Sequence, residues 1–296
     1  MRARRRRELF PTDHGLTARM FTAAVMTPAV LVAALGAVVV FAPWKVIGAV
    51  GIALVVGTYT AVRERAAAVQ GREVEPSDAP ELHAIVERLC VVADLTKPRI
   101  VVEDERQPNS WIVSLGRGHS RLHVTEGLLE RLEWSELEAV VAHELAHVAH
   151  RDATVMTVVG GPGAVLLGGG ARVIRGGGWW LLQAGGIVAI AIGWLSSIGT
   201  RALSRYREFA ADAGAVSLTG NPAALASALM KVSDGVMAMP SKDLRAVAAR
   251  DPFHLLPVAR RHNWRSGPPL PATHPSLQAR IGRLERLESR LQAARH

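Results

Sequence analysis

Cysteine is almost absent from this chain: Cys90 is the only one in 296 residues. An internal disulfide is therefore excluded, which agrees with a reducing compartment. Acidic residues are also scarce, 26 against 35 basic ones, for a formal net charge of +9. A basic excess raises nucleic acid as a partner. Here, however, Arg2, Arg4, Arg5, Arg6 and Arg7 stand directly before an apolar stretch, so the charge reads as membrane insertion and no nucleic acid is needed. There is no internal repeat and no low-complexity tract.

What the chain has in quantity is apolar sequence, 49% of its residues. Four stretches without charge run over 20–41, 46–62, 153–171 and 176–200. A helix needs about 20 apolar residues to cross a bilayer. The first and fourth fit best, and the second is short but uninterrupted. The third carries Pro162 and six glycines, so it reads as a span, a re-entrant segment or a segment packed inside the protein. Its Gly160, Ala164 and Gly168 make a small-xxx-small ladder suited to close helix contact. No small-residue cleavage site follows the basic start, so the first two stretches are expected to be a retained hairpin rather than a cleaved signal. Basic residues before and after each hairpin (Arg63, Arg65, Arg151, Arg201, Arg205, Arg207) place both hairpin ends in the cytoplasm by the positive-inside rule. Lys45, Arg172 and Arg175 lie at the links and run against it.

Between the hairpins the chain is polar. Residues 80–93 look helical, and 99–103, 111–115 and 121–125 alternate like short strands, expected to form a small antiparallel sheet. Helices are expected at 222–232 and 276–294, with a Pro/Gly loop at 267–275.

The chemistry sits in His143-Glu144-Leu145-Ala146-His147. Apolar residues at Leu137, Val140, Val141, Leu145 and Val148 have a helical period, and Ser135 with Glu138 looks like a capping box. On a helix, positions i and i+4 share a face, so two imidazoles can reach one metal ion. Catalytic zinc takes three protein ligands and leaves a fourth position for water, from which Glu144 stands ready to take a proton. A third ligand is needed. The metzincin histidine is missing, because its position holds Ala153. Cys90 precedes this helix by many residues, so the third ligand is sought elsewhere. Glu208 and Asp212, four apart on an expected helix, can supply one ligand and one acceptor for a ligand histidine's distal N–H. His150 reads as a polar flank at the helix end. His150-Arg151-Asp152 spells the start of a kinase catalytic loop, but no glycine-rich phosphate loop and no Asp-Phe-Gly accompany it. A second Glu-x-x-His is also missing, which argues against a di-iron carboxylate site.

These features together resemble the HtpX-like family of integral-membrane zinc metalloproteases, relatives of the CAAX prenyl protease. The resemblance covers most of the chain: basic N-terminus, first hairpin, strand segment, H-E-x-x-H helix, second hairpin, then Ser204-Arg205-x-x-Glu208-x-x-x-Asp212, and finally Thr273-His274-Pro275 ahead of Arg280-Ile281. It implies an α+β membrane protein with a mainly helical protease domain. It implies one Zn2+ per chain held by His143, His147 and Glu208, with Glu144 as the base and Asp212 and Arg205 in support. His274 would stabilise the oxyanion or hold the final helix. The family's Asn-Ala-Phe strand, which pairs with the substrate backbone, is Asn109-Ser110-Trp111 here, so contacts at those residues differ. The expected organisation is an N-terminal tail at 1–19, hairpins at 20–62 and 153–200, and protease segments at 63–152 and 201–296. The implied activity is cytoplasmic-face proteolysis of polypeptides, including misfolded membrane proteins. The rival readings are an inactive membrane scaffold of the same fold and a CAAX-type processing protease.

Overall fold

The computed structural model describes residues 14–67, 72–114, 120–237 and 274–293. The basic run Arg2 to Arg7, the expected loop up to residue 273, and Thr273 lie outside them. The described residues form two compact units. One draws on Gly71–Ala153 and Arg205–His296, the other on Gly15–Gln70 and Thr154–Ser204.

The first unit holds α3 (Pro80–Ala93), β1 (Arg99–Glu103), β2 (Ser110–Ser114), β3 (Ser120–Thr125), α4 (Glu126–Leu129), α5 (Trp134–His150), α8 (Pro222–Met237) and α9 (Leu277–Ala293). Its core gathers on α5, which packs against α3, α8 and β2 through fully buried Val140, Val141 and Leu145. The strand order is β1-β3-β2. β2 pairs antiparallel with β3, Ser110 opposite Val124, but β1 runs parallel to β3, Ile100 opposite Leu122. The expected antiparallel sheet is therefore mixed. Alternation of side chains identifies a strand but not its neighbour, and here β3 enters between the two strands that precede it. Val74 N–H donates to Ile100 O at 3.0 Å and occupies the outer edge of β1. β2 forms the other edge of the sheet.

The second unit is helical. Its parts are α1 (His14–Phe41), α2 (Trp44–Ala67), α6 (Asp152–Arg175) and the first part of α7 (Trp180–Thr219). All four helices are long and apolar enough to cross a membrane. The glycine-rich third stretch is a continuous helix rather than a re-entrant loop. Its glycines permit close approach. A Cβ on Gly169 would lie 1.7 Å from Ala53 O of α2, and one on Gly57 of α2 would lie 2.1 Å from Val165 O of α6. Gly160 of the expected ladder faces the Thr200 methyl of α7, 2.6 Å from where its Cβ would be. Leu31, Val50, Ala53, Leu166, Ala189 and Ile192 fill the space between the helices.

Helix α7 runs 40 residues without interruption, about 60 Å at 1.5 Å per residue. It passes straight through residue 200, where the apolar stretch ends, and carries Glu208 and Asp212 in its second half.

Gly169→Ala is expected to destabilise the helical unit by about 1–3 kcal/mol, since backbone rather than a pliable side chain blocks the new methyl. Gly161→Ala on the same helix, with nothing within 4 Å, is the control. Thermal unfolding in detergent should lower Tm for the first variant and leave it unchanged for the second.

Candidate metal centre

Helix α5 begins two residues earlier than the Ser135 box would have it. Glu133 is the N-cap, and Glu136 Oε2 accepts from its backbone N–H at 2.9 Å. The helix places His143 and His147 on one face with Nε2 atoms 3.2 Å apart. At its end Arg151 turns left-handed (φ 57°, ψ 38°), its N–H reaching back to His147 O and Val148 O. That turn starts α6 at Asp152 and brings the Asp152 carboxylate back over His147.

Glu208, from α7, completes the group. Its Oε2 lies 3.6 Å from His143 Nε2, and its Oε1 lies 3.7 Å from His147 Nε2. Among the described residues, His143, His147 and Glu208 form a group able to hold a metal ion, with donor atoms all within 4.8 Å of one another. Zinc at about 2.0–2.1 Å from each ligand in a tetrahedron gives edges of about 3.4 Å, close to these separations. His150 is not part of the group.

Both rings turn their other nitrogen to a buried carboxylate. His143 Nδ1 lies 3.0 Å from Asp212 Oδ1, and His147 Nδ1 lies 2.5 Å from Asp152 Oδ2. An Nδ1–H donating to a carboxylate fixes the tautomer and leaves the Nε2 lone pair facing the centre. Each carboxylate is backed by a guanidinium. Arg280, wholly buried, donates from Nε and Nη2 to both oxygens of Asp212 at 2.9 and 2.6 Å. Arg207 Nε lies 2.9 Å from Asp152 Oδ1. Asp212 lies beside His143. Asp152 and Arg207 were not singled out as site residues by the sequence, and Arg207 is the residue that pairs with Asp152; Arg205 is half-buried. Burial, the largest influence on His143, would lower its pKa. Asp212 and Glu208 outweigh it and push the imidazole up to about 9, so the pocket favours positive charge.

Glu144 is buried, and burial pushes its carboxyl above the usual carboxylate range while the two histidines oppose it. Ser110 Oγ donates to Glu144 Oε1 at 3.1 Å. Ser110 thus faces the site from β2. Asn109, just before it, is buried and anchors the strand, its N–H donating to Thr125 Oγ1 at 2.9 Å and its O accepting from Thr125 N–H at 3.1 Å. Trp111 alternates to the other face of the sheet and stacks on His123, centroids 4.8 Å apart. His274 Nδ1 lies 3.5 Å from Glu208 Oε2, so the chain ahead of α9 reaches the same group.

A model described as Peptidase family M48 matches residues 76–288. A protease HtpX homolog of Moorella thermoacetica is 40% identical, over 96% of this chain and 98% of that one. The protease HtpX homolog 1 of Streptomyces coelicolor is 37% identical, over 95% and 96%. Among solved structures, the crystal structure of S. mikatae Ste24p aligns over 93% of this chain and 66% of that chain, at 16% identity and a TM-score of 0.45. With a family match across most of its length and relatives aligned nearly end to end, the chain belongs to peptidase family M48.

Proposed function

We propose that this protein is a membrane-bound, zinc-dependent endopeptidase that hydrolyses peptide bonds at the cytoplasmic face of the cell membrane, in the quality control of membrane proteins. The observation that carries the reading is the group of buried His143, half-buried His147 and buried Glu208, with Glu144 held beside it. Two imidazoles and one carboxylate are a known ligand set for catalytic zinc. Peptidase relatives and four membrane-length helices support the substrate class and the location.

His143 Nε2, His147 Nε2 and the Glu208 carboxylate would hold the ion. Zinc bound there supplies a Lewis acid that makes water more acidic and polarises a carbonyl. Glu144 is the general base. Its Oε1 is fixed by Ser110, which leaves Oε2 to take a proton from the attacking water and pass it to the departing amine. Burial makes that carboxylate a stronger base than one in water. The peptide is aligned by β2. In an antiparallel pair alternate residues turn their backbone groups to the partner, so with Asn109 bonded to Thr125, the N–H and C=O groups of Ser110, Ile112 and Ser114 point to the outer edge. An extended substrate adds there as a further strand. Ser110 therefore steadies the base while its backbone meets the substrate, and Trp111 braces the strand from behind through His123. His274, whose Nδ1 lies 3.5 Å from Glu208 Oε2, would donate to the oxyanion. Asp212 with Arg280, and Asp152 with Arg207, keep the two imidazoles aimed.

Glu144→Gln should retain zinc and lose proteolysis by at least a hundredfold. Incubating zinc-loaded protein and this variant with membrane extract, then comparing which proteins disappear, tests the function. Equal proteolysis by both would refute the role of Glu144, and no loss with either would favour an inactive scaffold. Glu208→Ala should lower bound zinc, read by metal analysis; full occupancy would assign the third ligand elsewhere. Asp152→Asn should weaken zinc about 10- to 100-fold in a chelator competition, because the amide cannot hold His147 in its tautomer. Unchanged affinity would reduce Asp152 to a helix-start residue.

A further inference from the structure

The linked ends of the two helical hairpins meet. Lys45, just after the α1–α2 link, holds its ammonium 5.6 Å from the Trp44 ring centroid and 5.3 Å from that of Trp179, in the α6–α7 link. One cation is thus shared between indoles of both hairpins, within the range for cation–π attraction. The packing behind it is tight and continuous. A Cβ on Gly185 of α7 would lie 2.2 Å from the Ala49 Cβ of α2, and the Gly169–Ala53 approach follows one turn further along α2. The two links therefore end at one level.

The chemistry of this end is uneven. Trp44, Trp179 and Trp180 are 76%, 58% and 68% exposed. Indoles of this kind settle at membrane–water interfaces, where the ring meets the acyl boundary and the N–H meets polar headgroups. Residues 42–46 and 171–180 contain three cations, Lys45, Arg172 and Arg175, and no acid. Arg172 and Arg175 both lie in the last turn of α6. These are the cations that run against the positive-inside pattern, so the links carry positive charge for a reason other than orientation. Long basic side chains at helix ends reach out to headgroup phosphates. Ammonium, guanidinium and indole N–H are all donors suited to phosphate oxygens.

We propose that the joined hairpin links form a headgroup-binding cap that takes the phosphodiester of an anionic phospholipid, with Lys45 and Arg175 as the charged contacts and Trp44, Trp179 and Trp180 as the interfacial wedge. The cap rests on the membrane-embedded reading of the four helices and is independent of the metal centre. It requires both hairpins to reach the same leaflet surface, which makes the glycine-rich second hairpin a full crossing.

The full chain and its Lys45→Gln/Arg175→Gln variant, in mild detergent, are offered equal amounts of phosphatidylglycerol and phosphatidylcholine, and retained lipids are counted by native mass spectrometry. The wild type should retain phosphatidylglycerol preferentially, and the variant should lose that preference by about tenfold or more. Millimolar inorganic phosphate should not displace the lipid, since the wedge holds the acyl boundary as well as the phosphate. Lys45→Arg, which keeps charge and stacking, should behave as wild type. As a second measurement, phosphatidylglycerol should raise the Tm of wild type and Lys45→Arg but not of the double variant. Equal retention of the two lipids by the wild type would overturn the proposal. So would an undiminished preference in the double variant, or displacement by inorganic phosphate.

Discussion

Everything at the candidate site depends on burying charge that cannot balance itself. Glu144, Asp152, Glu208 and Asp212 are four buried carboxylates, and Arg207 and Arg280 are two buried guanidiniums, which leaves two negative charges over. An isolated buried charge costs several kcal/mol, so such a cluster persists only if positive charge is drawn in. The upward shift of His143 expresses that demand. A divalent cation would meet it in full, at the point where the two Nε2 atoms and the Glu208 carboxylate converge. Arg207 is committed to Asp152, whereas Arg280 holds both oxygens of Asp212 and also lies 3.5 Å from Glu208 Oε2.

The parts of this arrangement that were legible in the sequence are those written at helical spacing. His143 and His147, and Glu208 and Asp212, are i, i+4 pairs on single helices, and the H-E-x-x-H pattern names its own base. The long apolar helices were legible because length and the lack of charge decide them. Asp152 was hidden by the left-handed turn at Arg151. On an unbroken helix a residue five past His147 would point away from it, and only the reversal brings the carboxylate back. Arg205 came only from the family motif, and Arg207 is the residue that meets Asp152. Arg280 was visible only as part of a motif, since nothing local says that a C-terminal helix should bury a guanidinium against a residue 68 positions away. The parallel pairing of β1 with β3 had the same cause: strand alternation carries no information on order.

The sheet matters to the site through one alternation. Ser110 and Trp111 are neighbours on β2 and therefore face opposite ways. The first is bonded to Glu144, and the second is locked against His123, whose Nδ1 lies 2.8 Å from Glu103 Oε1 on β1. The stack of Trp111 on His123 couples the edge strand to the rest of the sheet. An edge strand left alone would be the most mobile part of a three-stranded sheet, and the base would move with it. Here the strand that would receive substrate is stiffened from the face that substrate does not use.

An apolar hairpin separates His147 from Glu208 in the chain, and its two helices pack closely on each other. Between His147 and Glu208 the chain travels the length of α6 and returns along α7. If those helices were unpaired, binding the ion would have to close the loop and would lose the corresponding entropy. They are closed independently. Gly160 meets Thr200, Gly163 meets Ser196 and Gly170 meets the backbone of Gly186, each at a distance only glycine allows. At the base of the hairpin, the Asp152–Arg207 pair joins the first turn of α6 to α7. The close helix contact that small residues permit thus holds the two arms of the hairpin together within the helical unit. The glycines that make α6 look like a poor helix in the sequence are what let it pack closely against α7.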